Sequence, residues 1–81
     1  MLPRVTLYTR SGCCLCETAK EQLARARRRA EFKLEEIDID SDPALRALYD
    51  DEVPVVAING QKAFKYAVEE REFLKKLRAR T

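Results

Sequence analysis

Tyr8-Thr9-Arg10-Ser11-Gly12-Cys13-Cys14-Leu15-Cys16-Glu17 joins two unlike patterns. Before it, Arg4 to Thr9 alternates, with Val5 and Leu7 on one side and Thr6 and Tyr8 on the other, the period-two signature of a strand. Ser11-Gly12 breaks the alternation. After it, Leu15, Ala19, Leu23, Ala26 and Ala30 recur at helical spacing, which predicts a helix from Cys14 to about Arg29. Glu21 and Arg25 stand one turn apart on its polar side and support it weakly. A strand that runs straight into a helix, with Cys13-x-x-Cys16 at the junction, is the feature from which the rest is read.

Further along, Glu31 to Ile39 reads as a strand with Phe32 and Leu34 on one face and Ile37 and Ile39 on the other. The phase slips at Glu35-Glu36, so an irregular or edge strand is expected. Asp42-Pro43 is a helix start, with Asp42 as N-cap and Pro43 in the first turn. The short helix that follows carries Leu45, Leu48 and Tyr49. Val55 to Ile58 is apolar throughout, as in a central strand covered on both faces. Asn59-Gly60 predicts a type I′ hairpin turn, because both residues accept positive φ. Gln61 to Lys65 is the return strand. Val68 to Arg80 closes as a helix burying Phe73, Leu74 and Leu77, with Glu72 and Lys76 paired one turn apart.

The element order is β-α-β-α-β-β-α in one domain, residues 1–81. Strands interleaved with helices imply a parallel core, and the final hairpin adds an antiparallel edge. The fold class is α/β: a four-stranded mixed sheet flanked by three helices.

Composition narrows the function. A chain of 81 residues buries only about 60% of its unfolded surface, so its stability margin is thin. Sixteen basic and 14 acidic residues leave a net charge of +2, below the excess typical of nucleic-acid binders. No secretory leader is read at Met1-Leu2-Pro3-Arg4, and no apolar run approaches the ~20 residues of a membrane span. A cytoplasmic, soluble monomer without nucleic-acid or membrane partners is expected. The chain has no His, which excludes Cys–His catalysis and His-containing metal sites. Its three Cys cluster in Cys13-Cys14-Leu15-Cys16, a pattern of redox or metal chemistry rather than of a disulfide scaffold.

Placement gives the dithiol its meaning. Free amides and the positive end of the helix dipole favour an anion at a helix start, so Cys13 is expected to ionise readily and act as the nucleophile. Cys16, one turn on and more buried, is placed to resolve a mixed disulfide. Cys14 is expected to be a bystander on the exposed first turn. Two other readings remain. One Cys-x-x-Cys supplies two of the usual four metal ligands, so an iron–sulfur or metal carrier would bridge subunits through these cysteines. A non-catalytic binding module would leave them idle. The basic runs Arg25, Arg27, Arg28, Arg29 and Lys75, Lys76, Arg78, Arg80 read as solvated helix faces rather than as an RNA or acidic-partner patch.

The stretch Tyr8 to Glu17, with Asp38-Ile39-Asp40-x-Asp42-Pro43 and Val53-Pro54-Val55-Val56, resembles the glutaredoxins and most of all the short glutaredoxin-like proteins. The likeness spans essentially the whole chain. It implies a thioredoxin-like fold and thiol–disulfide oxidoreductase activity on disulfide-containing proteins or small thiols, with no cofactor and with glutathione as a candidate co-substrate. By the same resemblance Cys13 and Cys16 are catalytic, and Arg10 stabilises the thiolate. Val53 and Pro54 bind substrate across a cis peptide. Two departures stand out. Lys65-Tyr66-Ala67-Val68-Glu69-Glu70 occupies the region of the family's Gly-Gly and Ser/Thr-Asp, where side chains and two Glu should repel a γ-glutamyl carboxylate. Glu52 replaces the usual Thr before Val-Pro, and is expected either to select basic partners or to pair with Arg10.

Overall fold

The computed structural model describes residues 2–49 and 52–79. Strand β1 (Arg4–Thr9) leads into helix α1 (Cys14–Ala26), then β2 (Lys33–Asp38), a single 3-10 turn (Ile39–Ser41), α2 (Pro43–Tyr49), β3 (Val55–Ile58), β4 (Gln61–Lys65) and α3 (Glu70–Ala79). The sheet order is β2-β1-β3-β4, with β1 parallel to β2 and antiparallel to β3, and β3 antiparallel to β4.

One face of the sheet carries the main core. Val5 and Leu7 of β1 and Val56 and Ile58 of β3 pack with Ala19, Leu23 and Ala26 of α1 and Phe73, Leu74 and Leu77 of α3. Phe32 meets Phe73 edge-on, with ring centroids 5.2 Å apart. On the opposite face, Tyr49 of α2 lies against Tyr8 at 4.6 Å. Covered from both sides, β3 is buried along its whole length, as its unbroken apolar run predicts.

Several details differ from the sequence expectations. The buried stripe of α1 is Cys16, Ala19, Leu23 and Ala26, while Leu15 is 52% exposed. The helix ends at Ala26 rather than near Arg29, because Arg28 N–H and Arg29 N–H turn to the carbonyls of Arg25 and Ala26 and tighten the last turn. β2 is an edge strand but a regular one, in unbroken register from Arg4↔Lys33 to Thr9↔Asp38. The apparent slip arises because Ile39 is not in the strand. Asp38 caps the following 3-10 turn, its carboxylate accepting from Asp40 N–H at 2.9 Å, and ends the ladder there.

In α2, Leu48 is 62% exposed and Leu45 only half-buried. The predicted cap holds, since Asp42 Oδ1 accepts from Ala44 N–H at 2.9 Å. Asn59 and Gly60 take φ of +51° and +84°, as a type I′ turn requires. The sheet's irregularity lies in β4, where the register steps from Val56↔Phe64 to Ala57↔Lys62 and leaves Ala63 as the extra residue. Its carbonyl accepts from Lys76 Nζ at 2.8 Å, so Lys76 serves the bulge in place of the expected Glu72 pair. α3 starts at Glu70, two residues later than the pattern suggests, with Val68 buried just before it. The predicted end at Arg80 lies outside the described residues.

Candidate active site

β1 delivers the chain to the site, and a tight turn reverses it into α1. Cys13 N–H donates to Arg10 carbonyl at 3.3 Å, closing a turn whose third residue, Gly12, stands at φ +78°. That is the position at which a type II turn requires positive φ. Cys13 follows in extended conformation as the N-cap of α1. Its Sγ accepts from Cys16 N–H at 3.2 Å, as a Ser or Asp side chain does in the same place. Thus the first sulfur satisfies one of the free amides at the helix start.

The three thiols sit in different surroundings. Cys13 is half-buried, Cys14 exposed, and Cys16 only 1% exposed, on the core stripe of α1. Burial pushes the Cys16 thiol up, and its hydrogen bond with Cys13 adds to the rise. The Thr9 hydroxyl and the Arg10 backbone amide act in the opposite direction, donating to the sulfur and favouring its anion. The two cysteines are hydrogen-bonded to one another, Cys13 half-buried and Cys16 on the core side.

Register aligns the remaining parts at the same end of the sheet. Tyr8 pairs with Val55 and Val55 with Lys65, so the Val53–Pro54 bend and Tyr66 fall in line with the end of β1. The Val53–Pro54 peptide is cis, Pro54 is fully buried and Val53 half-buried. Tyr66 N–H donates to Glu52 carbonyl at 3.1 Å and Ala67 N–H to Lys65 carbonyl at 2.9 Å. That γ-turn holds Tyr66 at φ +69°, an uncommon state for a bulky residue, with its side chain exposed.

Arg10 Nε lies 3.3 Å from Asp40 Oδ2, and Asp40 Oδ1 lies 3.3 Å from Arg46 Nε. Asp40 therefore ties the dithiol loop to α2. Glu52 is taken up by two lysines of its own chain rather than by Arg10. Lys62 Nζ is 2.6 Å from its carboxylate and Lys65 Nζ 3.8 Å. The Lys62 hydrogen bond, aided by the charge of Lys65, holds the Glu52 carboxyl below the usual glutamate range. Of the two Glu expected to repel a γ-glutamyl group, Glu70 lies 3.8 Å from Arg29, by the far end of α1. Among the described residues, no three His, Cys, Asp or Glu side chains gather as a metal site.

The profile of the glutaredoxin-like domain (DUF836) matches residues 4–78. The chain belongs to the glutaredoxin-like family. A relative, an uncharacterised protein of Mycobacterium tuberculosis strain H37Rv, is 37% identical over 73 residues, covering 84% of this chain and 75% of the relative. The crystal structure of the structural-genomics target XcR50 from X. campestris is similar at a TM-score of 0.78 and 33% identity, over 93% of this chain and 96% of that one. Mitochondrial thioredoxin 3 of Saccharomyces cerevisiae superposes with a TM-score of 0.73 at 14% identity, over 95% of this chain and 77% of its own. That last likeness shows the thioredoxin fold alone.

In this glutaredoxin-like chain several residues to which the sequence assigned no role of their own lie around the dithiol end: Thr9, Asp40, Lys62, Lys65 and the strained Tyr66. Thr9 carried a signal, a hydroxyl at the last position of a strand feeding the dithiol. Tyr66 carried another, a side chain in the region where the family places glycine. Lys62 and Lys65 carried none, because only the hairpin register brings them to Glu52.

Proposed function

We propose that this protein is a thiol–disulfide oxidoreductase working through Cys13 and Cys16 on disulfides of proteins or small thiols. The observation that carries the reading is the Cys13 sulfur at the first turn of α1, accepting the Cys16 amide at 3.2 Å, with the Cys16 sulfur buried directly behind it. A helix-start amide is presented to the Cys13 sulfur that attacks, and burial, which pushes the Cys16 thiol up, keeps the second thiol protonated until it is needed.

The cycle balances without a cofactor. Cys13 thiolate attacks one sulfur of the substrate disulfide; a Cys13–substrate disulfide forms, and the other substrate sulfur leaves as a thiolate that takes a proton. Cys16 then loses its proton and attacks the Cys13 sulfur. The mixed disulfide breaks, the Cys13–Cys16 bond forms, and the second substrate thiolate departs. The substrate gains two electrons and the protein loses two. An external thiol, with glutathione as one candidate, or a dithiol reductase returns them. Thr9 hydroxyl and Arg10 amide assist the second step at Cys16; the Arg10 guanidinium, shared with Asp40, adds positive charge beside the loop. The Val53–Pro54 bend offers backbone to the incoming chain. Both sulfurs belong to one subunit, so a monomer suffices.

The test compares wild type with Cys13→Ser in reduction of a protein disulfide and of a small mixed disulfide. Loss of turnover in Cys13→Ser supports the reading. Equal rates refute it and leave a thioredoxin-fold binding module. Visible absorbance of the purified protein, lost together with iron in Cys13→Ser, would favour the bridged-cluster carrier instead.

A further inference from the structure

α3 carries a stripe with no internal charge compensation. Arg71, Leu74, Lys75 and Arg78 stand at i, i+3, i+4 and i+7 and share one face of the helix. Among the described residues none of the three cations has an ion-pair partner, unlike Lys20, Lys62 and Arg46, each of which holds a carboxylate. Arg71 and Lys75, like charges one turn apart, repel each other.

The fold adds a fourth cation from a remote part of the sequence. Arg29, just beyond the end of α1, joins Arg71, Lys75 and Arg78 around a cleft of about 560 Å³. Leu74, 7% exposed, contributes an apolar part of its lining, and the single acid, Glu70, is already engaged by Arg29 at 3.8 Å. The two basic runs, read separately as solvated faces, thus converge in one concave surface. α1 has 13 residues, so at ~1.5 Å per residue its far end lies ~20 Å from its dithiol end.

We propose that this cleft is a docking site for a short acidic segment of a partner protein. From Arg71 to Arg78 the stripe spans ~10 Å, the reach of about three residues of extended chain. Carboxylates spaced along such a segment meet the cations, and an aliphatic stem rests on Leu74. A nucleic-acid backbone fits less well: no aromatic ring lines the cleft for stacking, and Glu70 opposes a phosphate. A partner held here leaves the dithiol end free. The inference does not depend on the dithiol chemistry, and Cys13→Ser should bind as wild type does.

The experiment is an NMR titration of the isotopically labelled full chain with a capped hexaglutamate peptide at low salt. Hexaglutamine, the oligonucleotide dT6 and a Lys33→Glu variant serve as comparators. Saturable shifts are expected at Arg29, Arg71, Leu74, Lys75 and Arg78. Arg71→Glu/Lys75→Glu should raise Kd at least tenfold, while Lys33→Glu, on the β2 edge, should change it less than twofold. If the double reversal fails to fold, Arg71→Gln/Lys75→Gln should still raise Kd several-fold. The proposal is overturned if hexaglutamate gives no saturable shift in the cleft, or if Lys33→Glu weakens it equally. It is also overturned if dT6 binds more tightly than the peptide at the same residues.

Discussion

Thr9→Val separates the two chemical steps. Valine keeps the shape and the strand preference of threonine and removes only the hydroxyl that donates to the Cys16 sulfur. A hydrogen bond to a charged group contributes about 1.5–3 kcal/mol, so its loss lowers the Cys16 thiolate fraction at neutral pH by roughly ten- to a hundredfold. The remaining thiolate is more basic and a better nucleophile; with a Brønsted coefficient of about 0.4–0.5, nearly half of the loss on a logarithmic scale is recovered. The net expectation is a resolving step slowed by about four- to fifteenfold. Cys13 is loaded with a chromogenic thiol as a mixed disulfide, and its release by Cys16 is followed by stopped flow across pH. The loading step should match wild type, and in strong alkali, where both Cys16 thiols are ionised, the variant's resolving rate should overtake that of wild type, because its thiolate is the more basic nucleophile. A resolving rate unchanged at neutral pH, or an equal slowing of loading, refutes the assignment of Thr9 to the second sulfur.

Cys16→Ser should stop the cycle after the first step, and mass spectrometry should find a lasting covalent adduct between Cys13 and a disulfide substrate. Glu52→Gln should flatten the acid limb of the stability curve. The Glu52 carboxyl is held below the ordinary range by Lys62, so on acidification the unfolded chain binds that proton first, and stability is lost as pH falls from the ordinary glutamate range through the depressed value. Urea midpoints at neutral and acid pH should therefore differ less in the variant. Phe73→Ala removes a fully buried ring packed against Phe32 and Phe64 and should cost about 3–5 kcal/mol. Against the roughly 4–12 kcal/mol expected for a chain of 81 residues, that is a large share, and denaturant titration should show it. Tyr66→Gly relieves a strained positive-φ conformation costing ~1–3 kcal/mol, partly offset by the greater freedom of glycine when unfolded, so its melting temperature should not fall.

Element types and order were legible because period-two and helical patterns are separated by strong breaks at Ser11-Gly12, Asp42-Pro43 and Asn59-Gly60. Less legible was which apolar residue goes inside. Leu15 and Cys16 both continue a stripe through Ala19, Leu23 and Ala26 at helical spacing, and periodicity cannot choose between neighbours. Packing of the whole helix decides it: the face turned to the core carries Cys16, Ala19, Leu23 and Ala26 and leaves Leu15 outside. Glu52 shows the other limit. Its partners, Lys62 and Lys65, lie across a hairpin whose register depends on a bulge at Ala63, and no local pattern announces that bulge.

On the proposed dithiol chemistry, the N-cap geometry of α1 gives two identical side chains different duties. Cys13 and Cys16 differ in no intrinsic property; three residues of helix separate an amide-facing sulfur from a core-facing one. The Cys13 sulfur accepts the Cys16 amide at the open start of the helix. For Cys16, burial opposes negative charge, and only the Thr9 hydroxyl and Arg10 amide offset that opposition. Both of those donors come from the last strand residue and the turn that follows it. The strand end therefore does more than deliver the chain to the helix: it supplies the two donors that partly offset the effect of burial on the Cys16 thiol. On that argument, order of attack is set by backbone placement at one strand–helix junction, and substitutions that leave both cysteines intact but move Thr9 or Gly12 should disturb the sequence of steps before they disturb the fold.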